Sequence, residues 1–147
     1  MSLLTKSLKE QLKNAFDQLQ VGQTFTFIRT LTDNDVSAFC GITGKYNPYR
    51  IDEQFAHENS YGNRIIPGLL IANMVTHIGG MLGFLATKMQ FNYIAPTFVG
   101  DTLTCVVAIE EKDETTKQVQ ASAKLVNQEG KEVLIAKFTS SFLKNKN

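Results

Sequence analysis

At 147 residues the chain can bury one sizeable core and is short for two ordinary domains, so a single domain is expected, with an N-terminal helix over residues 1–20 and a globular body over 21–147. Hydrophobic residues at 43% against charged residues at 20% exclude a largely disordered chain. A formal net charge of +1, with Lys and Arg scattered, excludes the basic footprint that a phosphate backbone requires, and nucleic acid is not an expected partner.

Residues 4–19 space Leu4, Leu8, Leu12, Phe16 and Leu19 three or four apart, the stripe of an amphipathic helix. The same start, MSLLTKSLKEQLKNAF, lacks the continuous apolar core and small-residue cleavage site of a signal peptide, and a cytoplasmic protein is expected. Val21-Gly22 ends the helix. TFTFIRTL then sets Phe25, Phe27 and Arg29 against threonines, which predicts a first strand. Thr32 followed three residues later by Asp35 has the form of an N-cap with an acid in the first turn, predicting a short helix over 33–41 that buries Val36, Phe39 and Cys40.

The stretch GKYNPYR, residues 44–50, should be a loop, because Pro48 disfavours helix at Asn47 and Gly44 tolerates positive φ. Another short helix is expected over Asp52–Asn59. IIPGLLIANMVTHIGGMLGFLA follows, with Pro67 suited to a first helical turn, and predicts a central helix over 68–85. Residues 65–87 carry no Asp, Glu, Lys or Arg, yet Asn73, Thr76, His77 and four glycines make them too polar for a membrane span. The reading is a helix wrapped by protein on most sides.

From Lys88 the period changes to alternation, predicting strands near 88–94, 101–112, 117–127 and 131–143, with DETT and NQEG as turns between antiparallel neighbours. On the last strand Leu134, Ala136, Phe138, Ser140 and Phe142 share one face and Lys137 and Thr139 the other. The fold class is therefore α+β: an antiparallel sheet curled around one long helix. Cys40 and Cys105 are expected to be buried free thiols, since two distant cysteines do not make a disulfide framework.

The order FCGITGKYNPYRIDEQFA, NRIIPGLLIA, FNYIAPTFVGDTL resembles the MaoC-like (R)-specific enoyl-thioester hydratase and dehydratase family, whose fold is the hot dog. The family loop runs Gly-Asp-x-Asn-Pro-x-His before an acidic residue and an alanine, and Gly44, Asn47, Pro48, Asp52 and Ala56 match it. A second match comprises Phe91, Pro96, Gly100, Asp101 and Leu103. The resemblance implies a hot-dog domain over 21–147, an acyl-thioester substrate, and a homodimer that covers exposed strand edges. It implies no cofactor, coenzyme A or phosphopantetheine entering only as part of the substrate, and no membrane partner.

In the family, as the resemblance implies, the loop's aspartate and histidine act on one water and the substrate α-carbon. Here Lys45 and Arg50 stand at those two positions. A hydratase needs one group that accepts a proton from water and one that returns a proton to carbon. Arginine stays protonated and does neither readily; lysine serves as a base only if burial and a neighbouring cation lower its pKa. Two roles stay open for the pair: binding an anionic part of the substrate, or facing solvent.

The resemblance further implies that the Gly68 N–H, in the start Pro67-Gly68-Leu69, receives the thioester carbonyl, as the free N–H groups of a first turn can. Tyr46, Asn47 and Pro48 are the loop's expected substrate contacts, though Asn47-Pro48 also reads as a simple turn. Thr76 either bonds substrate or its own i−4 carbonyl. Val36, Phe39, Leu70 and Met74 are expected along an acyl tunnel. His57 and His77 do not keep the family's spacing to Asn47, no metal-ligand spacing occurs, and Ser60 and Ser140 lack a triad pattern.

Overall fold

Alternation and helical stripes become elements largely where expected. The structure, a computed structural model, describes residue 10 and residues 14–44 and 64–142. Leu4, Leu8 and Leu12, the GKYNPYR residues beyond Gly44 and the expected Asp52–Asn59 helix lie outside the described residues.

Strand β1 (Thr24–Thr30) is followed by a short helix (Asp33–Thr43) and the central helix (Gly68–Leu82), then β2 (Phe84–Tyr93), β3 (Thr102–Asp113), β4 (Gln118–Val126) and β5 (Glu132–Phe142). The five strands form one sheet in the order β1-β3-β4-β5-β2. Every pairing is antiparallel. The long β3–β4 and β4–β5 hairpins carry the centre, leaving β1 and β2 as edges.

Period-2 alternation decides which side is dry. Leu103, Cys105, Val107 and Ile109 of β3, Val119, Ala121, Ala123 and Leu125 of β4, and Leu134, Ala136 and Phe138 of β5 are buried in one cluster with Ile71, Ala72, Met74 and Val75 of the central helix. Each large side chain so buried is worth roughly 1.5–3 kcal/mol. Ala123 pairs with Ala136 at mid-sheet, and such small residues let a helix lie close.

The central helix ends earlier than the expected residue 85. Gly83 takes φ 77 and ψ 24, a left-handed cap whose N–H donates to the Gly79 carbonyl, and Phe84 and Leu85 join β2. Glycine adopts that conformation without a Cβ penalty, which makes the stop local and sharp. The helix starts at Gly68 as expected, with Pro67 as its N-cap, its φ of −56 fitting the proline ring. The wrapping also needs correction: within one chain Leu69, Asn73, Thr76, His77 and Gly80 form an exposed stripe. Only the opposite face meets the sheet. Among the described residues no helix is long and apolar enough to cross a membrane.

The N-terminal stripe is borne out where it is described. Residues 14–18 are helical, and Phe16 and Leu19 are buried. Phe16 meets Phe142 edge-on at 5.3 Å, and Lys112 and Lys117 place their ammonium groups 4.5 and 4.8 Å from its ring centroid. Lys112 Nζ also donates to the Leu19 carbonyl at 2.7 Å, which fixes the segment to the turn end of the β3–β4 hairpin.

Candidate functional site at the start of the central helix

The short helix begins on a capping box. Thr32 Oγ1 accepts from the Asp35 N–H at 3.3 Å while the Asp35 carboxylate accepts from the Thr32 N–H at 2.9 Å. These bonds, with Arg29 at 2.6 Å, hold the Asp35 carboxyl below its usual range; the Thr32 backbone bond is the largest cause. The helix runs to Thr43, two residues past expectation, and stops at Gly44, whose φ of 69 is the positive value expected of that glycine. Gly44, the first residue of GKYNPYR, therefore ends a firmly capped helix.

A knot of hydrogen bonds links this helix's start to the central helix's start. Gly100 donates to the Leu31 carbonyl at 2.8 Å, and Leu31 N–H donates to the Asp101 carbonyl at 3.0 Å. Gly100 has φ 95, open to glycine and costly for other residues. The Asp101 carboxylate accepts from the Phe98 N–H and from the Gln128 amide, both at 2.9 Å. Phe98 in turn bridges Ile65, with Ile66 N–H donating to the Thr97 carbonyl at 2.7 Å. Arg64 pairs with Asp33 at 2.6 Å across the same junction. The Gly100-Asp101 match thus has a mechanical meaning: it delivers Ile66-Pro67-Gly68.

At that delivery point backbone donors are left open. The Pro67 carbonyl takes the Leu70 and Ile71 N–H groups at 3.0 and 3.3 Å, and among the described residues no side chain caps the end. Neither the Gly68 nor the Leu69 N–H finds an acceptor among the described residues. Two neighbouring N–H groups at the positive end of a helix dipole suit an oxygen that gains negative charge. Gly68 is bare for a reason: a Cβ there would stand 3.0 Å from Cε1 and 3.0 Å from Cζ of Tyr93.

The other expected residues fall as follows. Val36 and Met74 belong to the core cluster, Leu70 packs against it, and Phe39 is half-buried. Thr76 Oγ1 donates to the Asn73 carbonyl at 2.8 Å, so its back-bond reaches i−3 rather than i−4. His77 is exposed, not buried, and stacks on Phe27 at 3.9 Å. It lies about 13 Å along the axis from Gly68 at 1.5 Å per residue, too far to share chemistry with a group held there. Lys45, Tyr46, Asn47, Pro48, Arg50, His57 and Ser60 lie outside the described residues. Cys40 and Cys105 are free and buried as expected, and burial pushes the Cys105 thiol up to about 11.

Two features escaped the sequence reading. Tyr93 meets Gly68 only because the end of β2 passes the helix start, a tertiary contact with no local signature. A polar groove of about 490 Å³ lies across the wet face of the sheet, lined by Lys88, Gln90, Glu110, Glu111, Ser122 and Lys137. Its charges are mixed, and Ser122 already donates to Glu110 at 2.6 Å. Among the described residues no group of His, Cys, Asp and Glu is arranged to hold a metal ion.

An antiparallel sheet packed on one long helix, with open donors at that helix's glycine start, defines a hot-dog domain. Residues 17–131 match the family described as MaoC like domain, and the chain belongs to that family. Over 100 residues it is 31% identical to the 3-hydroxybutyryl-CoA dehydratase of Methylorubrum extorquens, a span of 65% of this chain and 64% of that protein. It is 24% identical over 107 residues to the (R)-specific enoyl-CoA hydratase of Rhodospirillum rubrum, covering 70% of this chain and 74% of that one. The unliganded R-hydratase of Pseudomonas aeruginosa has the same fold, with a TM-score of 0.83 at 21% identity over 88% of this chain and 86% of that one.

Proposed function

We propose that this protein binds trans-2-enoyl or 3-hydroxyacyl thioesters of coenzyme A or an acyl carrier protein, with the thioester carbonyl at the start of the central helix. The observation that carries this reading is the pair of open N–H groups at Gly68 and Leu69, on a glycine with no side chain in the way. Pro67, Leu69 and Thr76 flank the path of the acyl chain, with Leu70, Met74, Val36 and Phe39 behind it. Tyr46, Asn47 and Pro48 are further proposed substrate contacts, from the match to the family loop. Membership of the MaoC-like family supports the substrate class.

Hydration by the family's proton-handling pair does not follow, because Lys45 and Arg50 replace it. Arginine cannot take a proton from water, so an active enzyme would depend on Lys45 alone. Incubation with short and medium trans-2-enoyl-CoA tests this. Binding without turnover supports a noncatalytic thioester-binding or dimer-partner subunit; turnover lost in Lys45→Ala supports a lysine-driven hydro-lyase. Lys45→Asp with Arg50→His should create activity, and continued inactivity would count against the loop alignment.

A homodimer is part of the same reading. β2 is a ten-residue edge strand with Leu85 half-exposed, and pairing its free backbone edge with a second copy would cover that edge. Light scattering after gel filtration checks this. The two free, buried thiols agree with a reducing compartment such as the cytoplasm.

A further inference from the structure

Tyr93 has two surfaces with different jobs. Its ring fills the space where Gly68 lacks a Cβ, with the phenolic oxygen 3.2 Å from that point. Among the described residues the hydroxyl has no hydrogen-bond partner, and the side chain is half-exposed, so a small molecule can reach it. A tyrosine used only as filler would need no hydroxyl, since phenylalanine has the same ring.

The spacing suits a shared acceptor. Covalent geometry at Gly68 puts the Tyr93 oxygen within roughly 5.7 Å of the Gly68 nitrogen. Two donors that each approach one oxygen to about 2.8–2.9 Å stand that far apart or closer. We propose that Tyr93 is a carbonyl-binding residue: its O–H and the Gly68 N–H donate to the same thioester oxygen. This rests on the reading that Gly68 receives the thioester. The chemistry is hydrogen-bond donation alone, with no bond made or broken by the phenol. A phenol keeps its donor proton at neutral pH, and desolvation here raises its pKa further.

Tyr93 adds a side-chain donor to the backbone donors, of a kind that survives the loss of the usual acid and base. A side-chain donor added to a backbone donor polarises the carbonyl and fixes its direction, whatever Lys45 and Arg50 do. It also ties the identity of residue 68 to that of residue 93, since any side chain at 68 would push the phenol off its position.

The test uses butanoyl-CoA labelled at the thioester carbonyl, which has no double bond and cannot be hydrated, so the signal reports binding alone. Infrared difference spectra should show the carbonyl stretch of the bound ligand lowered in the wild type. In Tyr93→Phe, which keeps the ring, that lowering should shrink and affinity should fall about three- to tenfold, the worth of one neutral hydrogen bond, with the melting temperature held. An unchanged carbonyl frequency and affinity in Tyr93→Phe overturns the proposal while leaving the thioester site intact. Failure of the wild type to bind butanoyl-CoA overturns both.

Discussion

Asp101 holds the backbone N–H of Phe98 at 2.9 Å with one carboxylate oxygen and the Gln128 amide at 2.9 Å with the other. Both oxygens are occupied, so this carboxylate is a fastener and not a reserve base for the missing pair. Asp101→Ala leaves the Phe98 N–H without its acceptor in a part-buried turn and should cost about 1–3 kcal/mol. Because that turn bridges Ile65 and sets the helix start, thioester affinity should drop more than that of a comparably destabilised core variant. Urea denaturation and calorimetric binding on the same samples separate the two effects.

Gly68→Ala sets helix propensity against a clash. Elsewhere in a helix the change would stabilise by up to about 1 kcal/mol. Here the new methyl meets the Tyr93 ring at 3.0 Å, tighter than nine in ten real Cβ contacts, so stability should fall or stay level. In a Tyr93→Ala background the space is empty, and the same substitution should turn favourable. A double-mutant cycle on urea midpoints measures the coupling, and additivity within about 0.5 kcal/mol would show that the two residues do not touch.

What the sequence showed and what it hid divide along a physical line. Strand alternation, the Thr32–Asp35 cap and the Gly44 and Pro67 boundaries are local, and all were readable within a few residues. The helix end was misplaced because MLGFLA keeps an apolar helical pattern beyond Gly83, while the choice between helix and strand there is made by pairing with β5, Phe84 against Phe142. The exposed stripe was hidden for another reason. Asn73, Thr76 and His77 advertise a wet face, but the absence of charge pulled the reading toward burial. At the site, Gly68 was legible from the family pattern and its neighbour Tyr93 was not, since nothing local says that the end of β2 passes there.

Asp35 makes stability pH-dependent in a definite direction. Its carboxyl is held below the usual range, first by the Thr32 N–H and then by the Thr32 hydroxyl and Arg29. A depressed carboxylate stabilises the fold fully above its unfolded pKa of about 4 and loses that contribution as pH falls through the folded value. Asp35→Ala should therefore cost about 1 kcal/mol near pH 7, the typical worth of a cap. The gap to wild type should close on acidification below the carboxylate range. Arg29 is half-exposed, so added salt should change the gap little, the cap bonds carrying most of it. Parallel urea titrations across the acidic range check both statements.

Thr97 offers the opposite sign. Its side chain is fully buried and its Oγ1 has no hydrogen-bond partner among the described residues, although its backbone carbonyl accepts from Ile66 at 2.7 Å. A hydroxyl that gave up water without a replacement costs about 1–3 kcal/mol, and valine has nearly the same shape without that cost. Thr97→Val keeps the backbone bond to Ile66 and removes only the stranded group, so stability should rise by about 1 kcal/mol with an unchanged denaturant slope. The substituted residue lies in the segment that delivers Gly68, and the backbone there is untouched, so thioester affinity should stay level. A fall in the urea midpoint would mean that the hydroxyl is satisfied by a bound water, and the buried junction between Ile66 and Thr97 would then be wet rather than dry.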